Sequence, residues 1–187
     1  MIKKINICLA ILISMVFSES YKEPKYTLLE KHGNIELREY TEYIIARTSV
    51  DKGNMELNNN MFRVLASYIF GGNSRNESIP MTAPVITKED NSKYDMIFFM
   101  LDSNSPEELP LPNNQSISIE KMSIGKTVSI TFGMWATKDR IDKNKRKLDK
   151  YIRNNHIQVQ SSLMVAQYNS PWTMPPFRKN ELIYQVK

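Results

Sequence analysis

The sequence predicts an α+β fold, in which an antiparallel β-sheet is accompanied by two helices. Short segments such as "IELREY" and "KTVSITFGM" alternate apolar with polar residues, which is typical of half-buried strands. Two longer segments instead repeat apolar residues at helical spacing. The order strands, helix, strands occurs twice, so the sequence predicts a twofold architectural repeat, although no residue-level repeat is present.

The first series of strands begins with "YTLLEKHGNIELREY". The dipeptide Gly33-Asn34 predicts a turn between two strands, and "YIIARTSV" predicts a third. A helix is expected from Met55 to Phe70, with Gly71-Gly72 as its stop signal. Its apolar residues at helical spacing are Leu57, Met61, Leu65 and Tyr68.

The segment "IPMTAPVIT" carries Pro80 and Pro84 in a run otherwise rich in strand formers. Proline cannot donate a hydrogen bond to a ladder, so both are expected at an edge or irregular position. The following segment, "KYDMIFFML", is apolar on both faces. It therefore predicts a central strand, or a strand with one face lining a pocket.

The second series repeats this order. "SISIEKM" and "KTVSITFGM" predict two strands, and a helix is expected from Lys138 to Asn154 on an apolar stripe of Ile141, Leu148 and Ile152. This helix is basic, but it lacks the interleaved aromatic residues that stack on bases, so a solvated face is favoured over a nucleic-acid partner. Strands near "SLMVAQY" and "ELIYQV" close the chain, with "NSPWTMPPFRKN" between them.

Residues 1–20 predict a secretory signal peptide, because Lys3 and Lys4 precede a short apolar stretch that ends in small residues. Cleavage is expected at the end of this segment, after Ser18 or Ser20. A buried helix or an uncleaved anchor is the alternative, although the stretch is short for a stable membrane span. The expected product, residues 21–187, is a single secreted or periplasmic domain.

The only cysteine, Cys8, would leave with the signal, so packing rather than a disulfide must stabilise the domain. Loss of the signal would lower the formal charge from +5 to +3, or to +4 if Glu19 is removed as well, which is too modest to indicate nucleic acid or a membrane as partner. We expect a monomer whose partner is a hydrophobic small molecule. Eleven methionines can fill a core or line an adaptable apolar cavity, and the pattern leaves both open.

No catalytic or metal-binding pattern is present in the sequence. His32 and His156 lie in a turn-like segment and at a polar helix end, without a nucleophile or a third ligand at suitable spacing. "FGGNSRNES" lacks the lysine of a phosphate-binding loop. We therefore predict a protein that is not an enzyme.

Three motifs, "IELREY", "IPMTAPV" after a helix ending in Gly-Gly, and "YNSPWTMPPFRKNEL", occur in this order. Together they resemble the SOUL or haem-binding-protein family over about residues 26–186. The resemblance implies a distorted antiparallel β-barrel built from two pseudo-symmetric halves, each with an α-helix packed outside. It also implies that haem or a related porphyrin binds in a shallow apolar cleft beside the first helix, bordered by the loop before the last strand.

Six site residues follow from the resemblance. The ligand would lie against Met61, Leu65 and Tyr68 of the first helix and against Trp172, Met174 and Arg178 of the loop. Apolar side chains would cover the faces of the macrocycle, and a cation would pair with its propionates.

Two departures from the family pattern affect the iron and the propionates. Glu39 stands where some members carry the histidine of an "R-H-Y" motif, and Met174 stands where haem-binding members place a basic residue. The resemblance thus implies a tetrapyrrole-binding protein without an axial ligand. Two alternatives remain open: a carrier of another hydrophobic small molecule that uses the same cleft, and an interaction or structural protein whose cleft is closed.

Overall fold

The computed structural model describes residues 21–52, 60–90 and 92–187. The predicted signal peptide and the first part of the predicted helix from Met55 lie outside these residues. The described elements are β1 (Tyr26–His32), β2 (Ile35–Asp51), α1 (Met61–Ile69), β3 (Val85–Glu89), β4 (Lys93–Phe99), β5 (Ile117–Phe132), α2 (Lys138–Asn154), β6 (Met164–Gln167) and β7 (Asn180–Gln185), with short 3-10 turns at Pro106–Glu108 and Pro175–Phe177. Within this part of the chain, no helix is long and apolar enough to cross a membrane.

Six strands form a closed antiparallel barrel in the order β2-β4-β3-β6-β7-β5, and pairing between β5 and β2 closes the ring. The hairpin strand β1 pairs with β2 outside this ring. Each half consists of a long strand, a helix and two short strands, and the halves meet where β2 pairs with β5 and β3 pairs with β6. The predicted α+β class and the barrel of two related halves are confirmed.

Midway along the long strand β5, its two sets of alternating side chains exchange the sheet faces that they occupy. Val128 and Ile130 pack towards α2, whereas Ile117 and Ile119, which have the opposite parity, pack towards α1. The exchange occurs around Gly125, whose φ of 63° is readily adopted only without a side chain. The prediction of two separate strands here was wrong, because the reset of the alternation at Gly125 imitates a strand boundary.

The partner strand β2 makes the same exchange. Ile35 and Leu37 pack with the α2 cluster, whereas Ile44 and Ala46 pack with the α1 cluster. "IELREY" and "YIIARTSV" are therefore one strand rather than the two that were predicted. Each long strand thus contributes to the packing of both helices.

The two helices cover opposite parts of the barrel wall. In α1, Leu65 and Ile69 pack on β2 and β4, and the helix ends where predicted, before Gly71. In α2, the predicted stripe packs on β5 and β7, with Leu148 fully buried at its centre. The basic residues of α2 lie mainly on its other face, where Lys138 and Lys145 form ion pairs one turn along the helix.

Pro80 and Pro84 both precede β3, which begins at Val85, so neither removes a donor from a ladder. The peptide bond before Pro84 is cis. The Thr82 hydroxyl donates to the Phe99 carbonyl at 2.7 Å, which attaches this irregular segment to the end of β4. The expectation of an irregular position for the two prolines is confirmed.

Strand β4 lies between β2 and β3, as its two apolar faces predicted. Ile97 and Phe99 point into the barrel, whereas Phe98 and Met100 contact the α1 cluster.

Candidate functional site

The barrel interior is filled by side chains. Apolar residues from most of the strands and from the segment before β3 pack together inside it, among them Ile45, Ile97, Phe99, Met164 and Ala166. The remaining cavity between them measures only about 10 Å³. A volume of this size holds about one water molecule. A macrocycle does not fit this cavity in the observed conformation.

A buried ion pair between Arg38 and Glu181 crosses the polar part of the interior. The guanidinium donates to the two carboxylate oxygens at 2.8 and 2.9 Å, and the side chains are only 3% and 0% exposed. The Tyr168 hydroxyl donates to Glu181 at 2.7 Å, and Arg38 also donates to the Tyr40 hydroxyl and to Glu36. The network joins the first motif, on β2, to the last motif, on β7.

The network is held in one protonation state. Burial opposes ionisation of Glu181, but the hydrogen bonds and charge of Arg38 outweigh it, so the pKa of the carboxyl is lowered. Burial likewise opposes the charge on Arg38, and Glu181 nevertheless raises the pKa of the guanidinium. Burial raises the pKa of Tyr40 to about 12 and also raises that of Tyr168. The network is therefore suited to fixing the strands rather than to transferring protons near neutrality.

The three helix residues that the resemblance places at the site are buried in the structure. Met61, Leu65 and Tyr68 are 1%, 0% and 1% exposed, and the Tyr68 hydroxyl donates to the Pro110 carbonyl at 2.9 Å. In this conformation Met61 and Leu65 have almost no surface to offer a ligand. Their role as ligand contacts stays a prediction that would require α1 to move.

A groove lies beside α1, between the helix and the loop before β5. Its volume is about 560 Å³, within the range of about 300–1,000 Å³ usual for small-molecule sites. Val64 and Ile117 supply apolar surface, but Ser67 and the residues 113–115 make much of the wall polar. This wall suits a polar ligand better than the apolar faces of a porphyrin.

Exposed apolar side chains concentrate instead on the loop before β7 and on the neighbouring loop after β5. We call these residues the aromatic loop patch: Met134, Trp135, Trp172, Met174 and Phe177, which are between 39% and 93% exposed. Trp172 is the most exposed of them, at 93%. Contiguous exposed apolar groups are typical of interaction and ligand-binding surfaces.

Arg178 fastens the aromatic loop patch. Its guanidinium lies 3.5 Å from the centre of the Trp135 ring and donates to the carbonyls of Ser170, Pro171 and Thr173. The predicted role of Arg178 as a partner of propionates stays a prediction. A guanidinium that ties three carbonyls to one ring keeps the patch in a fixed shape before any ligand binds.

No recorded contact joins the two predicted groups of residues. Within the described part of the chain, no hydrogen bond or ring contact joins Met61, Leu65 or Tyr68 to Trp172, Met174 or Arg178. The groove beside α1 includes Tyr68 in its wall but none of the three loop residues.

The described residues contain no group of three or more histidine, cysteine or acidic side chains that could together hold a metal ion. At the aromatic loop patch, the side chains fit the apolar faces of a tetrapyrrole, and the Met174 thioether is the one predicted site residue there that could approach an iron. A separate groove, at the end of α2, has a histidine, His156, in its wall.

Sequence reasoning missed Trp135, the buried pair and the groove that contains His156. Trp135 comes directly after the predicted strand, which ends at Met134. Only its contact with Arg178 shows that the loop after β5 and the loop before β7 are neighbours. Arg38 and Glu181 are 143 residues apart, although both lie within the motifs that carried the resemblance. No local signal in the sequence links these residues.

Residues 21–185 match the model of the SOUL heme-binding protein family. Among solved structures, the C-terminal domain of EcmrR is similar with a TM-score of 0.62 and 11% identity, covering 87% of this chain and 98% of that chain. A hydrolase from Listeria innocua is similar with a TM-score of 0.58 and 8% identity, covering 94% and 97%. At these identities the likeness to solved structures shows the fold alone. No curated protein sequence matches the chain significantly.

Proposed function

This chain belongs to the SOUL heme-binding protein family, and from that membership we propose that it is a non-enzymatic protein that binds a haem or porphyrin on its outer surface, at the aromatic loop patch. The main observation that supports this proposal is the 93% exposure of Trp172 on a loop that Arg178 holds in place. The filled barrel supports a site on the outer surface.

The patch suits a flat apolar guest. Trp172, Met174 and Phe177 belong to one short loop, and together they can cover one face of a macrocycle. Methionine adapts its shape to the ligand, while the aromatic rings supply large rigid surfaces. Binding of this kind does not depend on the iron, so metal-free protoporphyrin should bind about as well as haem.

Both tryptophans of the chain, Trp135 and Trp172, lie in the aromatic loop patch, so intrinsic fluorescence reports directly on it. Titration of the purified protein with metal-free protoporphyrin should quench this fluorescence to saturation. In Trp172→Ala, the affinity read from the remaining Trp135 should fall about tenfold, since aromatic contact and buried area are both lost. Phe70→Ala is the matched control, because Phe70 is 65% exposed but lies outside the patch.

The outcomes separate the candidate functions. Equal affinity of protoporphyrin for the Trp172→Ala and Phe70→Ala proteins would refute the assignment of the patch. Uptake of fatty acids or other apolar probes without porphyrin binding would favour a carrier of another hydrophobic molecule. No uptake of any of them would favour an interaction protein, a second candidate that the filled barrel and the exposed patch also support.

We further propose that the protein acts after export, and this rests on the signal-like residues 1–20 alone. N-terminal sequencing of the exported protein should find Glu19 or Tyr21 as the first residue. A mature protein that still begins at Met1 would contradict this.

A further inference from the structure

The positive charge of the protein is concentrated on α2. Residues 138–154 contain eight lysines and arginines against three aspartates, which gives this helix a net charge of +5. Residues 21–187 together carry +4, so the part of this segment outside α2 carries −1. The total charge therefore conceals one strongly basic surface on an otherwise nearly neutral domain, and such a surface attracts anionic partners.

Five of these cations follow the outer side of α2. Each lies three or four residues from another, which places them on one face of the helix, opposite the buried Leu148 and Ile152. All five are exposed, and within the described part of the chain none forms an ion pair or a side-chain hydrogen bond. We call them the basic stripe: Lys143, Arg146, Lys147, Lys150 and Arg153.

The aspartates of α2 leave most of this charge in place. Asp142 and Asp149 are paired with lysines outside the basic stripe, Lys138 and Lys145, at 2.7 and 2.6 Å. Asp139, in the first turn, precedes the stripe. The ten-residue rise of the stripe is about 15 Å, so it can lie over several anionic groups at once.

The basic stripe is continuous with the aromatic loop patch. Trp135 lies two residues before Thr137, the N-cap of α2, and its carbonyl accepts from the Thr137 amide at 2.9 Å. Arg140, one turn before Lys143, also donates to this carbonyl, at 3.5 Å. The cations and the exposed aromatic residues therefore meet at the N-terminal end of α2.

This arrangement favours an anionic bilayer over a nucleic acid as the partner. Binding of single-stranded nucleic acid uses aromatic residues interleaved with cations, whereas here the aromatic residues are gathered at one end of the stripe. At a membrane surface, tryptophan side chains lie at the level of the headgroups, and lysines and arginines attract acidic lipids. Apolar contact and electrostatic attraction add in peripheral binding, and this surface supplies both.

We propose that the basic stripe and the aromatic loop patch form one peripheral docking surface for an anionic lipid bilayer. The basic stripe lies over the phosphate groups of acidic lipids, and Trp135 and Trp172 enter the headgroup layer beside it. The inference goes beyond the proposed function, since it requires no tetrapyrrole, although both use the aromatic loop patch.

The test is co-sedimentation of the purified protein with vesicles of equimolar phosphatidylcholine and phosphatidylglycerol, compared with vesicles of phosphatidylcholine alone. The protein should bind the anionic vesicles more tightly, and its tryptophan emission should shift to shorter wavelength, since both tryptophans lie in the patch. Raising the ionic strength from about 0.1 to about 1 M shortens the screening length from about 10 to about 3 Å and should release the protein.

The double variant Lys147→Gln/Lys150→Gln should weaken binding to the anionic vesicles about twentyfold, since each cation near an acidic surface contributes about fivefold. Lys93→Gln/Lys121→Gln is the matched control, because it removes the same charge from exposed positions on β4 and β5. Both proteins share the same N-terminal segment, so any contribution of that segment to vesicle binding cancels. Circular dichroism should show that both variants fold.

Three results would overturn the proposal: equal vesicle binding by the two folded double variants, binding without a shift of the tryptophan emission, or binding of duplex DNA in place of the vesicles. Titration with protoporphyrin in the absence of vesicles separates this inference from the proposed function. If vesicle binding fails while protoporphyrin still quenches the tryptophans, this inference fails and the proposed function stands. If vesicles bind as expected and protoporphyrin does not, the reverse holds.

Discussion

Replacing Arg38 by methionine removes the guanidinium and leaves the Glu181 carboxylate fully buried. Tyr168 and Thr131 would then be its remaining donors, at 2.7 and 3.2 Å. Removal of one partner from a buried ion pair typically costs about 3–5 kcal/mol of unfolding free energy. The complete burial of Glu181 and the loss of two hydrogen bonds place Arg38→Met within that range.

Glu181→Gln should cost less, about 2 kcal/mol, because Arg38 keeps Glu36 as a charged partner at 2.7 Å. The double variant Arg38→Met/Glu181→Gln should then be more stable than the sum of the single effects predicts, with a coupling energy of about 1–3 kcal/mol. Urea-induced unfolding at pH 7, followed by circular dichroism, measures all four proteins.

The pH dependence gives an independent check. In the wild-type protein the pKa of Glu181 is lowered, so its contribution is fully present above its unfolded pKa of about 4.3 and is lost as the pH falls through the folded value. In Arg38→Met, burial loses the main interaction that opposes it and should raise that pKa above the unfolded value. The sign then reverses, because protonation of Glu181 favours the folded variant. The stability difference between the two proteins should therefore shrink as the pH falls from 7 towards 4.

Two results would refute this reasoning. One is a cost of less than about 1 kcal/mol for Arg38→Met at pH 7, which would mean that the carboxylate finds solvent or a new partner. The other is a stability difference that stays constant between pH 7 and pH 4.

Three further predictions concern the backbone and the core. His156→Gly should raise the unfolding free energy by about 0.5–1 kcal/mol, since a left-handed residue is relieved, and a loss of stability in urea unfolding would contradict this. Gly125→Ala should lower the unfolding free energy by about 1 kcal/mol because its φ of 63° is unfavourable for alanine, while no atom lies within 4 Å of the added methyl group. Gly133→Ala is the control, since Gly133 does not have a positive φ. Leu65→Ala should cost about 2–5 kcal/mol and Phe62→Ala much less, because Leu65 is 0% and Phe62 43% exposed; equal costs in urea unfolding would show that the helix face is open.

The candidate site was only partly accessible to sequence reasoning. The loop with Trp172 and Met174 was identified through the resemblance, and both side chains are exposed. Met61 and Leu65 were assigned to the same site, yet they are core residues, since helical spacing of apolar side chains looks the same whether the face is covered by a sheet or by a ligand. The groove of His156 depends on a bulge in β1 and a helix cap at the end of α2 that lie more than a hundred residues apart.

The sequence by itself determined the fold class, both helices, the order of the strands and the positions of Pro80 and Pro84, because each of these follows from local periodicity or from a missing donor. Only the tertiary structure decided that the two long strands are continuous, that Arg38 meets Glu181, and that the barrel is filled. These features depend on contacts between distant segments and on the volume left between them. Local patterning carries no information on either, since a periodic apolar face specifies only that something covers it.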